Sequence, residues 1–458
     1  VEEGFFWNFV DAPTITEARL DVARDVVEHG LETPGRYRAA RDLLLARVGR
    51  TASGFDASQL DGEGPLAAAE RLALALDGGV LPVQGPPGAG KSYTAARTIL
   101  ALVAAGQRVA VTALSHKAIG NLLEKVVEAA AESGVAVRVG QQVGKDREPA
   151  AGVKVFPKAA DVKAALDGGA VDVVGGTAWA WTRPEFREAF DTVVIDEAGQ
   201  FSLATALSVA TAGRSMLLLG DPQQLTQPIQ GAHPDGAEVS ALQHLLAGHA
   251  TLPGRGLFLE ETYRLPPSIA GYVSRSFYEG RLRAIPGNER LALAGTDGFD
   301  GAGITYLPVA HVGRDGVAPE EVEEARRVIE RIVRPGARFI DKEGCEHDLT
   351  HADVMVIAPF NRHVDALAQG LPKGVQVGTV DRMQGREAPV VMYALGVSTL
   401  DLAPRGVEFL FDLHRCNVAV SRAQARAVVL ASPALFDALP GTPEGLRLAN
   451  AHVRLVEG

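Results

Sequence analysis

The residues best able to do chemistry are Gly85-Pro86-Pro87-Gly88-Ala89-Gly90-Lys91-Ser92, followed at once by Tyr93. Glycines at this spacing let the backbone curl around an anion with its N–H groups pointing inward. Lys91 is placed to reach terminal phosphates, and the Ser92 hydroxyl to hold Mg²⁺. A flexible Gly/Pro loop is the plainer reading. It is disfavoured because an apolar run, Val80-Leu81-Pro82-Val83-Gln84, precedes the loop and a helical stretch starting at Tyr93 follows it. Strand, glycine-rich turn and helix are the context a phosphate site needs, with the helix adding its positive dipole end.

A phosphate site that hydrolyses nucleotides needs an armed water and positive charge for the transition state. Val193-Val194-Ile195-Asp196-Glu197 ends an apolar run in two acids. Asp196 is expected to hold Mg²⁺ through water and Glu197 to orient and deprotonate the attacking water. Gly220-Asp221-Pro222-Gln223-Gln224 repeats the strand-end pattern, and Gln224 can sense a γ-phosphate without adding charge. Arg264 in Glu260-Glu261-Thr262-Tyr263-Arg264 and Arg422 in Val420-Ser421-Arg422 are the candidate cations. If two domains line one cleft, both arginines reach the nucleotide from across it.

These residues require an α/β scaffold of parallel strands and covering helices. Near-continuous apolar runs suggest strands at 80–84, 108–113, 171–174, 192–196 and 215–219, then at 304–308, 353–358, 375–379, 389–396 and 426–431. The expected organisation is a helical accessory segment over 1–65, a first α/β domain over 66–255 and a second over 256–458. Within the first segment, residues 16–27 and 37–48 read as helices. Residues 320–334 read as a surface helix with an apolar stripe of Val322, Ala325, Ile329 and Ile332, and with Glu323/Arg327 and Glu330/Arg334 ion pairs.

Composition limits the alternatives. Hydrophobic residues make up 47% and charged residues 22%, as in a globular protein. No apolar run approaches the ~20 residues of a membrane span. Two distant cysteines, Cys345 and Cys416, suit a reducing, cytoplasmic setting and argue against disulfides or zinc. With 45 basic against 56 acidic residues the net charge is −11, so any polyanion-binding surface must be local. The chain starts with Val, which suggests a fragment of a longer chain or a processed one, and no charged-then-apolar leader of a secretory signal follows.

In this order the motifs closely resemble those of superfamily 1 helicases of group B, in the Upf-like and nuclease–helicase branch, over roughly residues 66–435. Gln84–Ser92 looks like motif I, 109–117 like Ia, 174–177 like Ic, 196–199 like II and 220–225 like III. Residues 259–264 through 277–280 resemble the tyrosine–arginine motif, 356–360 a strand motif, 378–387 motif V and 417–423 motif VI. The resemblance implies two tandem RecA-like P-loop domains with ATP and Mg²⁺ as cofactors. It also implies that Tyr263 stacks on the base, Arg264 contacts the γ-phosphate, Glu387 touches the ribose and Arg422 is the arginine finger. Ser115, His116, Thr177, Thr226, Gln227, Pro228 and Thr379 would line a single-strand groove, mainly against phosphate and sugar. Group membership implies 5′ to 3′ movement, and some bacterial relatives carry an upstream nuclease domain.

Three departures stand out. Ala68, with Glu70 nearby, occupies the place of an adenine-reading Gln. Pro359-Phe360-Asn361-Arg362-His363 replaces a Pro-Tyr-Arg-x-Gln pattern, and His414-Arg415-Cys416 replaces two arginines and a leucine. The leading expectation is an ATP-driven 5′→3′ helicase or translocase on single-stranded nucleic acid, DNA preferred with RNA left open. The alternatives are a nucleic-acid-stimulated ATPase that remodels nucleoprotein complexes without unwinding, and a non-hydrolysing nucleotide-gated binding module. Measurable turnover separates the last from the first two.

Overall fold

Val109, Ala110 and Val111, and likewise Val193, Val194 and Ile195, alternate direction along their strands, yet all are fully buried, so helices must cover both faces of the sheet that holds them. The structure, a computed structural model, describes residues 12–32, 35–144, 150–226, 236, 238–252, 254–437 and 442–457. The chain divides into two compact units. One comprises residues 1–84, 91–222 and 226–258, and the other 85–90, 223–225 and 259–458.

The first unit is organised on an eight-stranded sheet. Its order is Leu257–Phe258, Val80–Gln84, Gly213–Gly220, Phe190–Ile195, Val109–Thr112, Val173–Gly175, Val139–Gln142 and Val153–Phe156. Every pairing is parallel, with Val80 opposite Met216, Val109 opposite Thr192 and Val111 opposite Gly175. Parallel neighbours place all the strands' C-terminal ends on one edge, where ligands bind in open α/β sheets. The helix Pro13–His29 contributes Ile15 and Val22, and the helix Arg38–Leu44 contributes Leu43, to the core that also holds Val80 and Val193.

The second unit carries a five-stranded parallel sheet in the order Gly303–Pro308, Ala423–Ala431, Ala388–Ala394, Val354–Ala358, Gln376–Thr379. An antiparallel set, Ala292–Ala294, Arg338–Ile340 and Glu346–Asp348, stands beside it. The expected α/β architecture with two parallel sheets is therefore the one observed. The helix Pro319–Ile332 buries Ala325, Val328, Ile329 and Ile332, while Val322 is half-buried. Glu323 pairs with Arg327 at 3.3 Å as expected, but Glu330 pairs with Arg326 at 2.5 Å, not with Arg334. Arg326 lies one turn before Glu330 and one turn after Glu323, so a single guanidinium bridges both acids. No helix among the described residues is long and apolar enough to cross a membrane.

Candidate nucleotide and nucleic-acid site

In the first unit the helix Lys91–Ala104 begins at the residue that ends the glycine-rich loop. Lys91 is half-buried, while Ser92 and Tyr93 are exposed. The Arg97 guanidinium lies 3.5 Å from the Tyr93 ring centroid and is itself tied to Glu132 at 2.5 Å, which fixes the tyrosine one turn along the same helix. Gln84, the last residue of the strand before the loop, is fully buried and donates its side-chain N–H to the Ala250 carbonyl at 2.9 Å.

Asp196 and Glu197 follow the strand Phe190–Ile195 directly. The Asp196 N–H donates to the Thr112 carbonyl at 2.9 Å, extending the sheet by one bond. Burial pushes the Asp196 carboxyl up to about 7, and the adjacent Glu197 charge adds to the rise; the Glu197 backbone N–H and Lys91 act in the opposite sense. Glu197 adopts φ 55°, the left-handed region that non-glycine residues seldom enter. The strain, on the order of 1 kcal/mol or more, is held by two bonds: the Glu197 N–H to Asp196 Oδ1 at 3.0 Å and the Gln200 N–H to the Glu197 carbonyl at 2.8 Å. Behind the pair, a Cβ on Gly199 would stand 2.5 Å from the Asp221 carbonyl oxygen. Only glycine allows the Asp196–Gly199 turn to sit against the Asp221-Pro222 backbone.

This donor set suits a divalent cation. A buried carboxyl, a second carboxylate beside it and a hydroxyl in the P-loop position match hard oxygen ligation, and Mg²⁺ commonly takes only one or two carboxylates plus phosphate oxygens. Among the described residues there is no group of three or more His, Cys, Asp or Glu that could hold a metal by itself.

In the second unit, the Thr262 hydroxyl donates to the Pro87 carbonyl at 2.9 Å and the Tyr263 N–H to the Gly88 carbonyl at 2.9 Å. Gly88 has φ 71°, and a Cβ there would meet the Arg264 Cβ at 2.5 Å, so the loop touches this segment backbone to backbone. Tyr263 is half exposed. Arg264 Nε donates to Glu387 Oε2 at 2.5 Å, and Gln424 donates to the other Glu387 oxygen at 3.0 Å. Arg422 is buried; its guanidinium donates to Gln224 Oε1 at 3.4 Å and to the Arg386 carbonyl at 3.3 Å. Thus Arg264 with Glu387, and Arg422 with Gln224, are brought together. Thr262 was missed in the sequence, because a threonine before Tyr-Arg carries no periodic or charge signal.

The expected groove residues are more scattered. Ser115 caps the helix His116–Ser133, accepting the Ala118 N–H at 3.1 Å, and Thr379 caps Val380–Met383, accepting the Arg382 N–H at 3.4 Å. Thr177 precedes the short helix Ala178–Trp181 and is half-buried, while Thr226 is exposed. Gln227 and Pro228 lie outside the described residues. Ala68, at the position of the absent base-reading glutamine, is fully buried, and burial raises the carboxyl of Glu70.

Residues 66–236 and 237–434 match two family models, each described as an AAA domain. The "DNA replication ATP-dependent helicase/nuclease" of Arabidopsis thaliana is 24% identical over 372 residues, covering 78% of this chain and 27% of that protein. Its Mus musculus counterpart is 27% identical over 395 residues, covering 78% and 36%. An uncharacterized ATP-dependent helicase of Methanocaldococcus jannaschii is 24% identical over 264 residues, covering 54% and 36%. The chain therefore spans about a third of the length of these relatives. Among solved structures, an arterivirus nonstructural protein 10 helicase in complex with DNA aligns with a TM-score of 0.42 at 16% identity, covering 80% of this chain and 63% of that one.

Proposed function

We propose that this chain, a relative of the superfamily 1 helicases, hydrolyses ATP to move 5′ to 3′ along single-stranded nucleic acid, with DNA preferred. The observation that carries the reading is the Asp196–Glu197 pair. Asp196 is buried at a strand's C-terminal end with Lys91 acting on its charge, and the half-buried Glu197 beside it is held in a strained backbone conformation. Strain that the surroundings maintain at a strand end is a mark of a working site.

In this reading the 85–90 backbone and Lys91 hold the phosphates, and Ser92 and Asp196 hold Mg²⁺, which screens phosphate charge when bound. Glu197 takes the proton of the attacking water. Tyr263 stacks on the base with Tyr93 on the same nucleotide, and Glu387 contacts the ribose. Arg264 and Arg422 stabilise the charge that develops on the γ-phosphate, and Gln224 senses its loss. Ser115, His116, Thr177, Thr226, Gln227, Pro228 and Thr379 follow the strand's backbone. The group B placement belongs to the same proposal.

The test is ATP-dependent strand displacement on duplexes with a 5′ or a 3′ tail, with Glu197→Gln alongside. Unwinding of 5′-tailed substrates by the wild type and none by Glu197→Gln is expected. A 3′ preference, or equal unwinding by the variant, overturns the reading. ATPase stimulated by single strands without displacement would replace it with a remodelling ATPase.

A further inference from the structure

Two tryptophans two residues apart have opposite fates. Trp181 is fully buried, donates Nε1–H to the Val111 carbonyl at 3.0 Å, and meets Phe186 and Phe190 edge-on with ring centroids 5.2 Å away in each case. Trp179 is 41% exposed. On a helix, residues two apart point roughly 200° from each other, so anchoring Trp181 turns Trp179 outward. The anchor is tight. A Cβ on Gly176 would stand 2.7 Å from the Trp181 ring, and one on Gly175 would collide with Ile119 and Leu123. The helix Ala178–Trp181 is therefore clamped to the sheet, and the Trp179 ring is presented from a fixed base.

The strand ends that share its sheet edge point to its ligand. The strands Val109–Thr112 and Val173–Gly175 are parallel neighbours, and the Gly176 N–H donates to the Val111 carbonyl at 2.9 Å. The segments leaving these two strands therefore emerge side by side. One brings Thr177 and Trp179; the other brings Leu114, itself 42% exposed, then Ser115, His116 and Lys117. Lys117 is exposed and makes no ion pair among the described residues. The helix His116–Ser133 also directs its positive end to this edge. In a chain of net charge −11, an exposed aromatic ring that shares a sheet edge with an exposed apolar side chain and local positive charge matches a planar base on an anionic backbone.

We propose that Trp179 is a stacking platform for one base of the bound single strand, with Leu114 flanking it, so that this chain grips bases as well as backbone. The inference rests on the proposed function, since it assigns a contact to the same strand. Stacking uses no 2′-hydroxyl, so the platform serves deoxy- and ribo-strands alike.

The experiment measures affinity by fluorescence anisotropy for oligothymidylate and for the same strand with abasic positions, in deoxy and ribo forms. Wild type, Trp179→Ala and Trp179→Phe are compared. The wild type is expected to bind the abasic strand about tenfold more weakly. Trp179→Ala should bind both strands alike, at the wild type's abasic affinity, and Trp179→Phe should keep most of the gap. A merely structural role for Trp179 would weaken both strands equally and leave the gap intact, which overturns the platform. A wild type that binds single strands with no abasic gap overturns the platform and leaves the proposed function standing. A wild type that binds no single strand overturns both. Should Trp179→Ala fail to fold, Trp179→Gln makes the same comparison.

Discussion

Glu321 lies on the buried side of the helix Pro319–Ile332 and is fully enclosed, as are His311 and His363. Its Oε1 meets His311 Nε2 at 3.0 Å, and its Oε2 meets His363 Nε2 at 3.2 Å and accepts the Gly396 N–H at 2.9 Å. His311 Nδ1 lies 2.8 Å from the Ser398 hydroxyl, which accepts the Arg314 N–H at 2.9 Å. A carboxylate can only accept, so both histidines present Nε2–H to it, and Ser398 donates to His311 Nδ1. One side chain thus ties together the segments at 311–314, 361–363 and 396–398. Gly396 is held to glycine by φ 70° and by the His363 ring, 2.8 Å from where a Cβ would stand.

Glu321→Ala strands three buried donors: two imidazole N–H groups and the Gly396 N–H. At about 1–3 kcal/mol for each, the loss is about 3 kcal/mol at the least, before any cavity term. Domains are commonly stable by about 5–15 kcal/mol, so the variant brings the second unit near its unfolding threshold. Glu321→Gln keeps an oxygen for Gly396 and His363 and turns an amide toward His311, whose other tautomer can accept it. Its cost is about 1–3 kcal/mol, one disturbed bond. Trp179 and Trp181 fall in the first unit, so their fluorescence would not report this loss locally. Urea unfolding followed by far-UV circular dichroism should give wild type above Gln above Ala. Hydrogen exchange should accelerate in Val354–Ala358 and Ala388–Ala394 of the Ala variant while Val80–Gln84 stays protected. A loss below about 1 kcal/mol for Glu321→Ala, on the scale of a single bond, or unchanged exchange in those two strands, refutes the reasoning.

His452 is buried against Phe411, with ring centroids 4.5 Å apart, and burial lowers it to about 4 from an ordinary value near 6.5. Between those values the unfolded chain takes up a proton that the folded one refuses, so stability is lost as pH falls from about 6.5 toward 4. At about 1.4 kcal/mol per pH unit, the loss by pH 4.5 is about 2 to 3 kcal/mol, and His452→Leu should show a correspondingly smaller drop in urea midpoint between pH 7 and 4.5; an unchanged drop argues against it. Cys416 is fully buried and its thiol is pushed up to about 12, whereas Cys345 is exposed. A chromogenic disulfide reagent should therefore titrate one thiol in the native protein and both in guanidinium, and two fast native thiols would contradict the burial.

What the sequence reveals depends on how far away a residue's partner lies. Val80–Gln84 and Phe190–Ile195 are readable because burial on both faces writes itself as a local apolar run, and the P-loop because its spacing is local too. Val139–Gln142 and Val153–Phe156 are strands of the same sheet but carry Gln141, Gln142 and Lys154, which break the run. Gln141 is tolerated there because its amide donates to the His116 carbonyl at 3.0 Å, a partner 25 positions away. The same rule hides Thr262, whose value is a bond to Pro87, and Glu321, whose polar burial is resolved by His311, His363 and Gly396. Glu330 shows a milder form, since spacing allowed either Arg334 or Arg326 and a second acid, Glu323, favoured Arg326. Trp179 and Trp181 are the sharpest case. Identical residues at near-identical positions are told apart by Gly176, the Val111 carbonyl, Phe186 and Phe190, which receive one ring and leave the other exposed.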